Sequence, residues 1–239
     1  MNRNAFIGQN VETLFKNSIG DHPSAVDAIR DKFKIVGYFQ GAMKTGIHGE
    51  KVDVKLGFSC GHNIDANIKA FKEESGFNQL TRTSVAHFCQ VFDITERRCE
   101  LEDIVVNKSK NTNHPLFSES DWLNWKPFFT SRKTDILRWC MSSAPSREIL
   151  VLFNRTSSKM LIYSMKEAIH VLDGGIEYSK GGFNIGECVS FQRKGGNGSL
   201  SRNIPKSSIK HPGNNVQLKL KVNKFVEIAE KIKLCDYDI

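Results

Sequence analysis

The sequence lacks any run of 18 apolar residues, so no membrane-crossing helix is expected. Its opening stretch, MNRNAFIGQNVETLF, has no uninterrupted apolar core, so no secretory signal peptide is expected. It has no CxxC pair. The six cysteines (60, 89, 99, 140, 188 and 235) are scattered, which argues against a disulfide framework and fits a reducing cytoplasm. Cys60-Gly61-His62 has no second ligand pair at useful spacing, which argues against zinc. No Pro-, Gly- or Ser-rich linker, internal repeat or low-complexity segment breaks the chain, so one domain over residues 1–239 is expected. Acids are the minority charge. There are 26 Asp and Glu against 34 Lys and Arg, a formal net charge of +8 and a pI of about 9.2. That balance permits a polyanionic partner without proving one.

What is present is periodicity. Val11, Leu14, Phe15 and Ile19 lie at helical spacing within 8–19, and Val26, Ile29 and Phe33 repeat it behind a Ser24 cap. Residues 51–58 and 64–71 alternate apolar with polar and read as a strand pair. The pattern predicts a helix over 79–92, a loop or short elements over 98–114, and a helix over 118–129 opened by Ser118-Glu119-Ser120-Asp121. Pro127 should end or kink that helix, with another following over 132–141. Strands are expected at 148–154, 159–165, 187–193 and 216–222, then a helix over 224–234. This order implies an α/β fold with a central mixed β-sheet flanked by helices.

The strand pair at about 50–71 carries the chemistry. A hairpin centred on Gly61 would pair Val52 with Ala70, Val54 with Ile68, Leu56 with Ala66 and Phe58 with Ile64, an apolar face throughout. The other face would pair Asp53 with Lys69, Lys55 with Asn67 and Gly57 with Asp65. Asp53, Asn67 and Lys69 would then converge. One reading is a plain amphipathic hairpin with an exposed Asp–Lys pair worth about 0–1 kcal/mol. The other is phosphodiester hydrolysis, which uses a divalent cation to polarise phosphate and lower the pKa of a bound water. Mg2+ takes oxygen ligands. Asp53 offers a carboxylate, Asn67 a side-chain carbonyl and Ile68 a backbone carbonyl. Lys69 could orient the attacking water and oppose the growing negative charge.

Glu50-Lys51-Val52-Asp53 followed by Asn67-Ile68-Lys69 resembles the signature of the PD-(D/E)xK nuclease superfamily, with Asn67 where an acid is usual. A subgroup of type II restriction endonucleases, the MspI / HinP-type, carries Asn or Gln there. Ser75-Gly76-Phe77-Asn78-Gln79, Thr134-Asp135-Ile136-Leu137-Arg138-Trp139 and Phe191-Gln192-Arg193-Lys194-Gly195-Gly196 also resemble that subgroup, in order along the chain. The resemblance implies a restriction-endonuclease-like fold and Mg2+-dependent cleavage of double-stranded DNA at a short, GC-rich palindrome. It also implies a DNA methyltransferase of the same specificity in the same cell. Asp53, Asn67 and Ile68 would hold the metal, with Asp53, Asn67 and Lys69 catalytic. Glu12 would be an accessory carboxylate on the first helix. Asp53-Val54-Lys55 is a rival literal D-x-K, and Lys55 could otherwise serve as an extra phosphate contact. A strand-nicking or repair endonuclease, or a DNA-binding protein without activity, remains open.

Between Lys180 and Lys224 stand nine Lys or Arg and one acid, Glu187. Such a stripe neutralises phosphates, so 180–224 is expected to face DNA. Gln192 and Arg193 are candidates for base readout, with Lys194 and Arg202 as further contacts. Asn78 and Gln79, expected at a corner entering a helix, have the donors and acceptors to meet base edges.

Overall fold

The computed structural model describes residues 3–45, 52–72, 77–196 and 203–239. The protein is α/β, and its chain divides into two compact units. One comprises Met1–Asn78, Leu137–Val171 and Val222–Ile239, the other Gln79–Ile136 and Leu172–Lys221.

The first unit is built on a six-stranded mixed sheet flanked by helices. Its strands are β1 (Phe39–Lys44), β2 (Val54–Phe58), β3 (Asn63–Phe71), β5 (Glu148–Asn154), β6 (Lys159–Ser164) and β11 (Lys233–Asp238), side by side in that order. Only the β3–β5 pair is parallel; the other pairs are antiparallel. Helices α1 (Arg3–Ser18) and α2 (Pro23–Phe33) bury Val11, Phe15 and Ile29 with Val54, Leu56, Ala66, Ile68, Val151 and Ile162 in one core. Pro23 starts α2, where its missing N–H costs nothing, and Lys34 closes it with φ 53°. The alternation in 51–58 and 64–71 thus does what amphipathic strands do: its apolar face meets the helices.

The second unit holds a five-stranded sheet in the order β4 (Phe77–Thr83), β10 (Val216–Lys221), β9 (Val189–Arg193), β8 (Gly182–Ile185), β7 (Ile176–Ser179). Its core is aromatic. Phe183 and Phe191 stack with ring centres 4.8 Å apart, and Phe129 lies 4.2 Å from Phe183. The guanidinium of Arg97 sits 3.9 Å from the centre of the Trp125 ring, a cation–π contact.

Several expectations are corrected. Residues 79–83 belong to β4, and the following helix is only α3 (Val85–Val91), started by Ser84, whose hydroxyl accepts the His87 N–H at 3.1 Å. The polar stretch after 98 is helix α4 (Arg98–Lys110), because Leu101, Ile104 and Val105 make a narrow buried stripe. Helix α5 (Glu119–Met141) runs unbroken through Pro127. Its start is the expected one: Ser118 Oγ accepts the Asp121 N–H at 3.1 Å while Asp121 Oδ2 accepts the Ser118 N–H at 3.0 Å. Helix α6 (Met165–Leu172) follows β6. The last helix, α7, covers only Val222–Ile228, and strand β11 follows it.

Candidate active site

The hairpin register differs from the expected one by two residues. Val54 pairs with Ala66, Lys55 with Asp65, Leu56 with Ile64 and Gly57 with Asn63. The reversal is set where Phe58 N–H bonds His62 O at 3.0 Å and Gly61, at φ 80°, bonds Phe58 O at 2.9 Å. A shift of two leaves each side chain on its own face but changes its partner. Asp53 stands just before the paired stretch, and its N–H bonds Ala66 O at 3.0 Å. It reaches Lys69 diagonally: Asp53 Oδ2 is 3.9 Å from Lys69 Nζ.

The same Oδ2 accepts the N–H of Ile68 at 2.6 Å. In an extended strand one residue's N–H and C=O point to the same edge, so the Ile68 carbonyl also lies on the Asp53 side. Asn67 is buried. Its Nδ2 donates to Met141 O at 3.0 Å, which turns Oδ1 the other way, and Oδ1 has no hydrogen-bond partner among the described residues. A buried acceptor left without a donor is costly, and a cation or a water would satisfy it. Asp53 and Lys69 are half-buried. Burial pushes the Asp53 carboxyl above its usual range, against the lowering pull of Lys69 and the Ile68 N–H; Glu12 raises it further and Lys44 lowers it.

Glu12, on α1, thus shares the electrostatic field of Asp53. Its Oε2 is 3.0 Å from Lys44 Nζ, which also donates to Gln9 O at 3.2 Å and Thr13 Oγ1 at 3.3 Å. Lys44 escaped the sequence reading because β1 itself did: FQGAMK has no clean alternation, and its register slips between Phe39 and Gly41. Lys55 lies along the same polar face, but its Nζ is 3.9 Å from Asp65 Oδ1 and it pairs with that residue. Glu50 and Lys51 lie outside the described residues. Among the described residues, no three of His, Cys, Asp and Glu are grouped so as to hold a metal. A cation here would depend on one carboxylate with neutral oxygens, water and substrate phosphate, a set that suits Mg2+.

The candidates for DNA contact fall differently. Asn78 lies on β4, not at a helix entry, and its Nδ2 donates to Ala70 O at 2.7 Å, tying down the end of β3. Gln79 Oε1 accepts from Arg82. Gln192 and Arg193 close β9, and Arg193 Nε donates to Asn214 Oδ1 at 2.8 Å. The Lys194 backbone N–H bonds Asn215 O at 2.8 Å. Arg202 lies outside the described residues, as do Ser75, Gly76 and 197–199. The Thr134-Asp135 stretch is structural at its start: Thr134 Oγ1 donates to Asp173 Oδ2 at 2.6 Å, and Lys133 pairs with Asp173 at 3.1 Å.

No helix among the described residues is long and apolar enough to cross a membrane. No family model matches the chain, and no curated protein does. Among solved structures it is similar to the restriction endonuclease MspI in complex with its cognate DNA, with a TM-score of 0.49 and 14% identity over 75% of this chain and 69% of that chain.

Proposed function

We propose that the protein is a Mg2+-dependent type II restriction endonuclease of the MspI / HinP-type group, with both units forming one endonuclease domain. It would hydrolyse double-stranded DNA at a short, GC-rich palindrome in the cytoplasm, beside a methyltransferase that protects the same sites. The observation that carries the reading is the face shared by Asp53, Asn67 and Lys69. There a carboxylate lies 3.9 Å from an ammonium, and the Asn67 amide oxygen is buried with no partner among the described residues. The polar-hairpin reading accounts for the Asp–Lys pair but not for that oxygen, which would be better solvated in water.

The residues present fit a hard divalent cation. Asp53, Asn67 Oδ1 and the Ile68 carbonyl would hold it. When bound, such an ion polarises the phosphoryl group and lowers the pKa of its water. The raised pKa of Asp53 marks a carboxylate whose charge the metal-free site solvates poorly. Lys69 would hold the attacking water by its lone pairs and oppose charge on the pentacovalent phosphorus. The Met141 carbonyl would fix the Asn67 amide so that its oxygen does not rotate away. The Lys44–Glu12 pair would set the field behind Asp53.

Digestion of unmethylated DNA tests this directly. Wild-type protein with Mg2+ should give discrete fragments, EDTA should stop the reaction, and Lys69→Ala should slow it by about a hundredfold or more. Undiminished cleavage in Lys69→Ala would move the site to Asp53-Val54-Lys55. End mapping of both strands separates this enzyme from a nicking endonuclease, for which one catalytic set facing two strands speaks. DNA binding without cleavage would mark an inactive binder, for which the missing second acid speaks.

A further inference from the structure

Helix α4 brings its C-terminal end against the end of β9 and the segment from Lys206 to Asn214. Between them lies a cavity of about 180 Å3 lined by Ser109, Thr112, Arg193, Gly196 and Lys206. That is below the roughly 300 Å3 at which sites for drug-sized ligands begin, and it suits a small oxyanion. The lining is cationic and hydroxylic with one glycine, Gly196 at φ 72°, where an added Cβ would meet open space.

The site is held in place from behind. Asn214 is wholly buried, and its Nδ2 bonds Lys206 O at 2.8 Å and Ser208 O at 2.7 Å. Its Oδ1 accepts Arg193 Nε at 2.8 Å, so one amide both pins the loop and aims the guanidinium. Ser109 Oγ donates to Lys206 O at 2.6 Å, joining α4 to the same loop.

The charge there is unbalanced. Burial lowers the pKa of Arg193. Lys108 is lowered by burial, then by Lys180 and Arg193, and Lys194 by burial, then by Arg82 and Arg193. His211 is lowered by burial, then by Arg193, Lys206 and Lys194. None of these shifts has a carboxylate among its causes. Part-buried cations grouped round one cavity, with neutral oxygens as their hydrogen-bond partners, favour a bound anion.

We infer that this pocket binds a phosphate group, with Arg193 and Lys206 supplying charge and Thr112 a flanking hydroxyl. Resting on the DNA-cleavage reading, the group is a backbone phosphodiester. Arg193 then positions the duplex and does not read a guanine edge.

The test uses full-length protein in EDTA, a short duplex and inorganic phosphate, with Lys206→Gln and Arg193→Gln checked by thermal melts. Each variant should bind the duplex about tenfold more weakly at moderate salt. Each should lower the slope of log affinity against log salt by about one. With Mg2+ restored, the cut sequence should not change. Phosphate should displace the duplex from wild type more effectively than chloride at equal ionic strength, and less so from Lys206→Gln, whose exposed side chain can be altered without disturbing Asn214. Unchanged slopes in folded variants of a protein that cuts DNA would overturn the pocket and leave the nuclease standing. A changed cut sequence in Arg193→Gln would make it a base reader and overturn the pocket as well. Phosphate binding without DNA binding would keep a free-anion site and remove the nuclease, and binding of neither would remove both.

Discussion

Asn67 combines two tasks that a carboxylate could not. Its nitrogen donates to the Met141 carbonyl while its buried oxygen has no partner among the described residues. Asp has no donor when ionised, so Asn67→Asp would set a charge against a backbone carbonyl. It should destabilise the metal-free protein by about 1–3 kcal/mol in urea unfolding. That is a physical reason for Asn at a position where the signature that the sequence resembles has an acid. Asp53 shows the opposite balance. Its folded pKa is raised, so the folded state holds a proton more tightly than the unfolded one, and stability falls as pH rises from the ordinary carboxylate range through the folded pKa. The penalty is fully present above that window. Asp53→Asn should therefore raise the denaturation midpoint in EDTA at neutral pH, with the gain shrinking towards pH 4, while abolishing cleavage. An equal gain at both pH values would show that ionisation is not its cause.

At the scale of elements, the polarity of each hairpin face was legible because period-two alternation marks faces. The register was not, because shifts of two keep every face intact and the turn chooses among them. Helix α4 was missed because its buried stripe is only Leu101, Ile104 and Val105 among charged residues. Pro127 does not end the helix. Its missing N–H would have bonded the carbonyl of Leu123, and both side chains are on the exposed side of α5, where water can take that carbonyl. The helix is bought by the buried Trp125, Phe129, Ile136 and Leu137. An interior proline costs about 3 kcal/mol against alanine, less up to about 1 for the freer unfolded chain. Pro127→Ala should thus stabilise the protein by about 2 kcal/mol, read as a higher denaturant midpoint. No change would mean that the proline relieves strain elsewhere in the helix.

At the scale of the whole chain, the first unit is assembled from three separate stretches, and its last strand comes from the C-terminal end. Tyr237 on β11 stacks on His22 with ring centres 4.0 Å apart and shares a 3.3 Å hydrogen bond with Ser18 Oγ. It closes the core formed by α1 and α2. Tyr237→Ala should cost about 3 kcal/mol in unfolding free energy while leaving the cleavage pattern unchanged at low temperature. A loss within about 0.5 kcal/mol would show that β11 adds little to the fold.

By itself the sequence determined the α/β class, the apolar faces, the cap of α5 and the residue types available for chemistry, because these depend on local spacing and on the hydrogen-bonding capacity of single side chains. Only the tertiary structure decided that Asp53 accepts the Ile68 N–H and reaches Lys69, that Lys44 holds Glu12, and that Asn214 aims Arg193. Those contacts join residues far apart in the chain. Turn geometry, parallel pairing of β3 with β5 and burial of polar groups fix them, and none of these leaves a period in the sequence.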